Sequence, residues 1–170
     1  AVLASSDDLC SWMRVRDDFP SVGVAKAIRT NPVVVGKKAS FGVNGTARTA
    51  AQGGKPTPFT IADLLPEGFD IDDASQVSLN AGSPLTNPDG SKYDLSKVQI
   101  EITKNYNGTG RTLLRMIVPD PVEGSLYTSF DTTVKSTAPA GQTVNQAMTY
   151  MPGDGAKDVA VDKSLRNTNY

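Results

Sequence analysis

From Val22 to Tyr150 the chain runs in short apolar–polar alternations cut by glycine, proline, asparagine and aspartate. This period-two pattern predicts strands and turns, with no long helix. Val22 to Ile28 is the first predicted strand. Val33-Val34-Val35 and Ala39 to Val43 follow, with turns predicted at Gly36-Lys37-Lys38 and Asn44-Gly45. A loop rich in Gly, Ala, Thr and Pro (Ala47 to Pro58) leads into Phe59-Thr60-Ile61-Ala62-Asp63, and Ile71 to Leu79 predicts a further strand. After the turn Asn87-Pro88-Asp89-Gly90, the apolar side chains Val98, Ile100 and Ile102 alternate with Gln99, Glu101 and Thr103. Asn107-Gly108-Thr109-Gly110 then turns the chain into Thr112 to Val118, so these two strands are expected to be antiparallel neighbours. Leu126 to Lys135 puts Thr128, Phe130, Thr132 and Val134 on one face, and Thr143 to Tyr150 is the last predicted strand. About seven to nine short strands with such turns predict an all-β, antiparallel β-sandwich.

The flanks read differently. Leu9, Trp12 and Met13 have the spacing of a short N-terminal helix. Residues 1–21 are therefore expected to be a leader or linker, 22–151 the sandwich, and 152–170 an extension or the start of a further module.

One strand carries an anomaly. Phe59, Ile61 and Asp63 share a parity, so a carboxylate points the same way as two large apolar side chains. A charge aimed into a core is costly unless it is paired, protonated or used. Lys26 shares its parity with Val24 and Ile28, and Asn145 shares its parity with Ala147 and Thr149. Three polar groups with core-facing parity would be costly apart and are intelligible together.

Composition narrows what that chemistry can be. The 170 residues carry a net charge of −1 with lysine and arginine scattered, so no nucleic-acid footprint is expected. No apolar run reaches membrane-spanning length, and no membrane insertion is expected. Histidine is absent and there is one cysteine, Cys10. Those absences remove the usual general base, the Ser-His-Asp and Cys-His machines, intrachain disulfides and cysteine-pair zinc sites. No cofactor, no metal and no turnover enzyme are expected. Calcium held by Asp70, Asp72 and Asp73, or by Asp89 and Asp94, is the weaker reading, because acidic loop residues are usually just solvated. The two Asn-Gly-Thr sequons, at Asn44 and Asn107, read as turns, and Cys10 and Trp12 as a small apolar contact.

The order of landmarks is Val24-Ala25-Lys26-Ala27, Val34-Val35-Gly36-Lys37, Phe59 to Gly68 with its Asp63-Leu64-Leu65-Pro66-Glu67-Gly68, and Gly141 to Tyr150 with its Asn145-Gln146-Ala147-Met148-Thr149-Tyr150. Over about residues 22–151 this resembles the immunoglobulin-like modules of Gram-positive cell-surface adhesins and pilus shafts. The resemblance implies an immunoglobulin-like sandwich at the cell surface or in the cell wall, partnered by neighbouring modules of the same protein or pilus. In the isopeptide-forming branch, a first-strand lysine bonds to a last-strand asparagine beside a promoting acid. The matching positions are Lys26, Asn145 and Asp63. Burial would favour a neutral, nucleophilic lysine and a protonated acid able to hydrogen-bond the asparagine carbonyl. Each molecule would react once, so the chemistry is autocatalytic at most. Against this stands a structure in which Lys26 snorkels, Asp63 caps the Leu-Pro-Glu-Gly turn and Asn145 bonds to backbone. An alternative function is a ligand-binding adhesin module that recognises a host protein or glycan through the loops Ala47 to Pro58 and Asn80 to Tyr93.

Overall fold

The computed structural model describes residues 22–28, 34–49, 51, 53–138 and 146–151. The expected N-terminal helix, Cys10 and Trp12, the flanks 1–21 and 152–170, and Asn145 lie outside the described residues. Among the described residues there are nine antiparallel strands: β1 (Val22–Ile28), β2 (Lys38–Ala47), β3 (Thr57–Leu64), β4 (Phe69–Asp70), β5 (Val77–Leu79), β6 (Leu85–Thr86), β7 (Gln99–Thr103), β8 (Leu113–Val134) and β9 (Gln146–Tyr150).

β8 organises the molecule. Its first part pairs with β7 on one side and β3 on the other, and β9 extends that sheet beyond β3. Its last part pairs with β2 on one side and with the short strands β4, β5 and β6 on the other, and β1 extends that sheet beyond β2. The changeover falls at Pro119-Asp120-Pro121. There the β3 register jumps from Phe59 opposite Val118 to Thr57 opposite Val122. Proline supplies no N–H for a ladder, so the two prolines sit where the strand leaves one sheet for the other. The sequence pattern predicts two separate strands here, Thr112 to Val118 and Leu126 to Lys135. The structure instead keeps the backbone extended and folds it at a corner.

The two sheets face each other across one core. Phe41 stacks on Phe130 with ring centroids 5.5 Å apart and meets Phe69 edge-on at 6.1 Å. Val43, Phe59, Ile61, Leu114 and Met116 complete this layer. The parity predicted for β8 is observed, since Thr128, Phe130, Thr132 and Val134 are all buried. The two threonines donate their hydroxyls to the carbonyls of Val43 and Ala39, each at 2.8 Å. Buried hydroxyls are thus satisfied by the neighbouring strand. On the far side of the β3 sheet a second cluster gathers Ala62, Leu64, Tyr106, Leu113 and Tyr150.

Three further expectations are corrected. Val34 and Val35 form an exposed turn, in which Lys37 N donates to Val34 O at 3.1 Å and Gly36 N to Val134 O at 2.8 Å. Asn44-Gly45 is no turn but lies in mid-β2, where the glycine is needed for clearance: a Cβ on Gly45 would stand 2.5 Å from Ile61 Cδ1. The Ile71 to Leu79 segment is a strand only from Val77, because Asp73 and Gln76 form a capping box around a 3-10 turn at Ala74–Gln76.

Candidate functional site

The contact at Gly45 sets the level of one sheet against the other. β2 and β3 cross with Gly45 over Ile61. Two residues further from the corner stand Val43 on β2 and Asp63 on β3. Lys26 of β1 lies opposite Val43, and Val24 lies opposite Gly45. The backbone of Lys26 is therefore at the level of Asp63, in the facing sheet; Val24 packs against the core. The Lys26 side chain is outside the described residues.

Asp63 has no solvent exposure, as its parity predicts, and its flanking partners on that face, Phe59 and Ile61, are equally buried. Its cross-strand neighbours are Leu114 on β8 and Ala147 on β9. Opposed residues of an antiparallel pair project to the same face, so the small Ala147 shares the Asp63 side of the sheet. Asn145, two positions earlier in the sequence, lies outside the described residues. β1 runs alongside β9, so the outermost strands of the two sheets meet along one edge of the sandwich.

The turn after Asp63 is held from one side by Arg111. Its Nε donates to Leu65 O at 2.8 Å and its Nη2 to Leu64 O at 3.0 Å. Burial pushes this guanidinium below its usual value, while the charges of Asp63 and Glu67 pull it back up. Arg111 thus brings positive charge within reach of the buried carboxylate and fixes the backbone that follows it. Sequence parity gives no hint of this, because Arg111 precedes β8 and belongs to a turn.

The acidic residues considered for calcium have other partners. Asp70 accepts from Lys104 and Lys135, each at 2.6 Å, and from Thr112 at 2.7 Å. Burial alone would raise the Asp70 carboxyl, but the two lysines and the threonine outweigh it and hold the group well below the usual carboxylate range. Lys104 also bonds Asp72. Asp73 caps the 3-10 turn, and Asp89 and Asp94 bond Ser91 and Ser96 in their own turns. The aromatics near the long connection are not displayed either. Tyr106 is buried, and Tyr93 is buried with its hydroxyl donated to Asp120 at 2.7 Å. Burial and that carboxylate push the Tyr93 pKa well above the ordinary phenol value.

No protein-family model matches this chain, and no curated protein matches it. Solved structures do. The major pilin SpaA of Corynebacterium diphtheriae, whose structure points to a modular pilus assembly with stabilizing isopeptide bonds, superposes with a TM-score of 0.51 at 18% identity. The match covers 75% of this chain and 31% of that one. The full-length major pilin SpaD of the same species gives 0.50 at 11% identity, covering 77% and 31%. The chain therefore spans less than a third of either pilin. At such identities the likeness is one of architecture: this chain has the all-β fold of a Gram-positive pilin backbone module.

Proposed function

We propose that this chain is a structural module of a bacterial surface fibre or adhesin, exposed outside the cell, with residues 22–151 as the module and with neighbouring modules of the same assembly as its partners. We further propose that it cross-links itself once. In this reaction the Lys26 amine attacks the side-chain carbonyl carbon of Asn145. A new N–C bond forms, the asparagine Nδ2 leaves as ammonia, and the surplus lysine proton goes with it. Asp63, protonated, promotes the step by donating a hydrogen bond to the asparagine carbonyl and stabilising charge that develops on its oxygen. The fold holds the reactants together, and that proximity supplies much of the rate.

The observation that carries this reading is the fully buried Asp63 opposite Ala147, level with the backbone position of Lys26, on strands whose edges meet. Burying a carboxyl group is costly unless it is paired, protonated or used, and a catalytic hydrogen bond to Asn145 is one such use. Recognition of a host protein or glycan through loops is less well supported, because Tyr93 and Tyr106 are packed inside. Intact mass tests the proposal. The folded chain should lack one ammonia, and Lys26→Ala, Asn145→Ala and Asp63→Ala should each restore the full mass. A full mass in well-folded wild-type protein would refute the cross-link while leaving the structural role standing.

A further inference from the structure

The two Asn-Gly pairs of this chain sit in opposite environments, and we infer that one of them, Asn107-Gly108, is a spontaneous modification site. In this chemistry the backbone nitrogen of the glycine attacks the asparagine Cγ. An N–C bond closes a five-membered succinimide, and Nδ2 departs as ammonia with the glycine proton. Water then opens either carbonyl of the ring, leaving aspartate or isoaspartate. The only co-reactant is water.

Three features favour position 107. Asn107 and Gly108 are exposed in the turn between β7 and β8. A Cβ added to Gly108 would meet nothing within 4 Å, so the glycine lies in open space and no neighbour crowds it. Both Asn105 (φ 48°) and Asn107 (φ 49°) are held in the left-handed region, which non-glycine residues adopt at a cost, so the turn starts from a strained backbone. The Gly108 N–H donates to Asn105 O at 3.1 Å, inside the same turn, and a local opening frees it. Asn44-Gly45 is the internal control. It is clamped between β1 and β8, with Asn44 opposite Ala25 and Tyr127, and Gly45 lies against Ile61. Reaction there requires the central part of β2 to come out of the sheet.

Conversion at 107 has a structural consequence. Tyr106 is buried between the two left-handed asparagines, and the Arg115 guanidinium lies over its ring at 5.9 Å. Isoaspartate inserts an extra methylene in the backbone beside that anchor, so the slow reaction would loosen Tyr106 from the outer cluster of the β3 sheet. The intermediate matters as well, because a trapped succinimide lacks one ammonia, as an isopeptide does.

The test incubates purified folded protein in warm, mildly alkaline buffer, digests samples over time, and quantifies isoaspartate by peptide mapping with isoaspartyl methyltransferase labelling. A urea-unfolded sample and Asn107→Asp run in parallel. The expected result is isoaspartate at 107 in the folded protein, at least about tenfold faster than at 44, since any opening of the sheet enters the rate as its equilibrium cost. In the unfolded sample the two sites should react alike. Asn107→Asp should show no early isoaspartate. Reaction at 107 in the unfolded chain but not in the folded one, or equal rates at 44 and 107 in the folded protein, would overturn the inference. Because the product maps to its own peptide, this outcome is independent of whether Lys26 and Asn145 are joined.

Discussion

Asp63 and Asp70 are two aspartates in different surroundings: Asp63 is fully buried, whereas Asp70 keeps some exposure. Asp70 takes its charge balance from Lys104 and Lys135 and stays ionised. Those lysines are about half exposed, so the network is screened and is worth roughly 1 kcal/mol. Its carboxyl is held low in the folded state. It therefore stabilises fully above the ordinary aspartate range of about 4 and loses that contribution as pH falls below it. Acid titration of unfolding should accordingly show a weaker decline in Asp70→Asn than in wild type below about pH 4, and that variant should be destabilised at neutral pH by roughly 1 kcal/mol. Tyr93→Phe should cost a similar amount, about 1 kcal/mol in urea unfolding, because Asp120 loses its donor at the corner. Asp63 was legible in the sequence, since a two-residue period alone puts it beside Phe59 and Ile61. Arg111 was not, because a turn residue has no parity to read.

At the scale of elements, β8 shows what alternation can and cannot reveal. The inward set Thr128, Phe130, Thr132 and Val134 follows from period two, as does the wet face of β7. That both halves belong to one strand does not follow, since Pro119 and Pro121 carry the same local signal whether the chain stops or bends. Just past the bend lies Gly124, which has φ +98° and sits so close to the start of β6 that a Cβ would stand 1.8 Å from Pro84 O. No side chain can be accommodated there without moving backbone. Gly124→Ala should therefore destabilise by at least about 3 kcal/mol, and equilibrium unfolding checks it. Gly45→Val should be milder, about 1–3 kcal/mol, because Ile61 can partly yield. In both cases the glycine answers to a long-range contact, which is why Asn44-Gly45 looked like a turn from sequence alone.

At the scale of the whole molecule, β1 starts and β9 ends toward the corner where β8 folds over: Val22 lies opposite Ala47, and Tyr150 opposite Thr60. A pull on both strands would begin to peel them from that end. A bond between Lys26 and Asn145 would leave only the outer stubs free to peel and would hold the intervening chain. It would also restrict the unfolded state much as a disulfide closing a long loop does, worth roughly 4–5 kcal/mol by chain entropy. Lys26→Ala should then unfold at clearly lower temperature than wild type in a calorimetric scan, with its sheet structure otherwise intact. The most direct measurement is high-resolution mass of the freshly purified, folded chain, followed by digestion and mapping. The account predicts a deficit of one ammonia carried by a peptide pair joining Lys26 to Asn145, and the full mass in Asp63→Ala. A full mass in the folded wild type, or a deficit that maps entirely to Asn107, would contradict it.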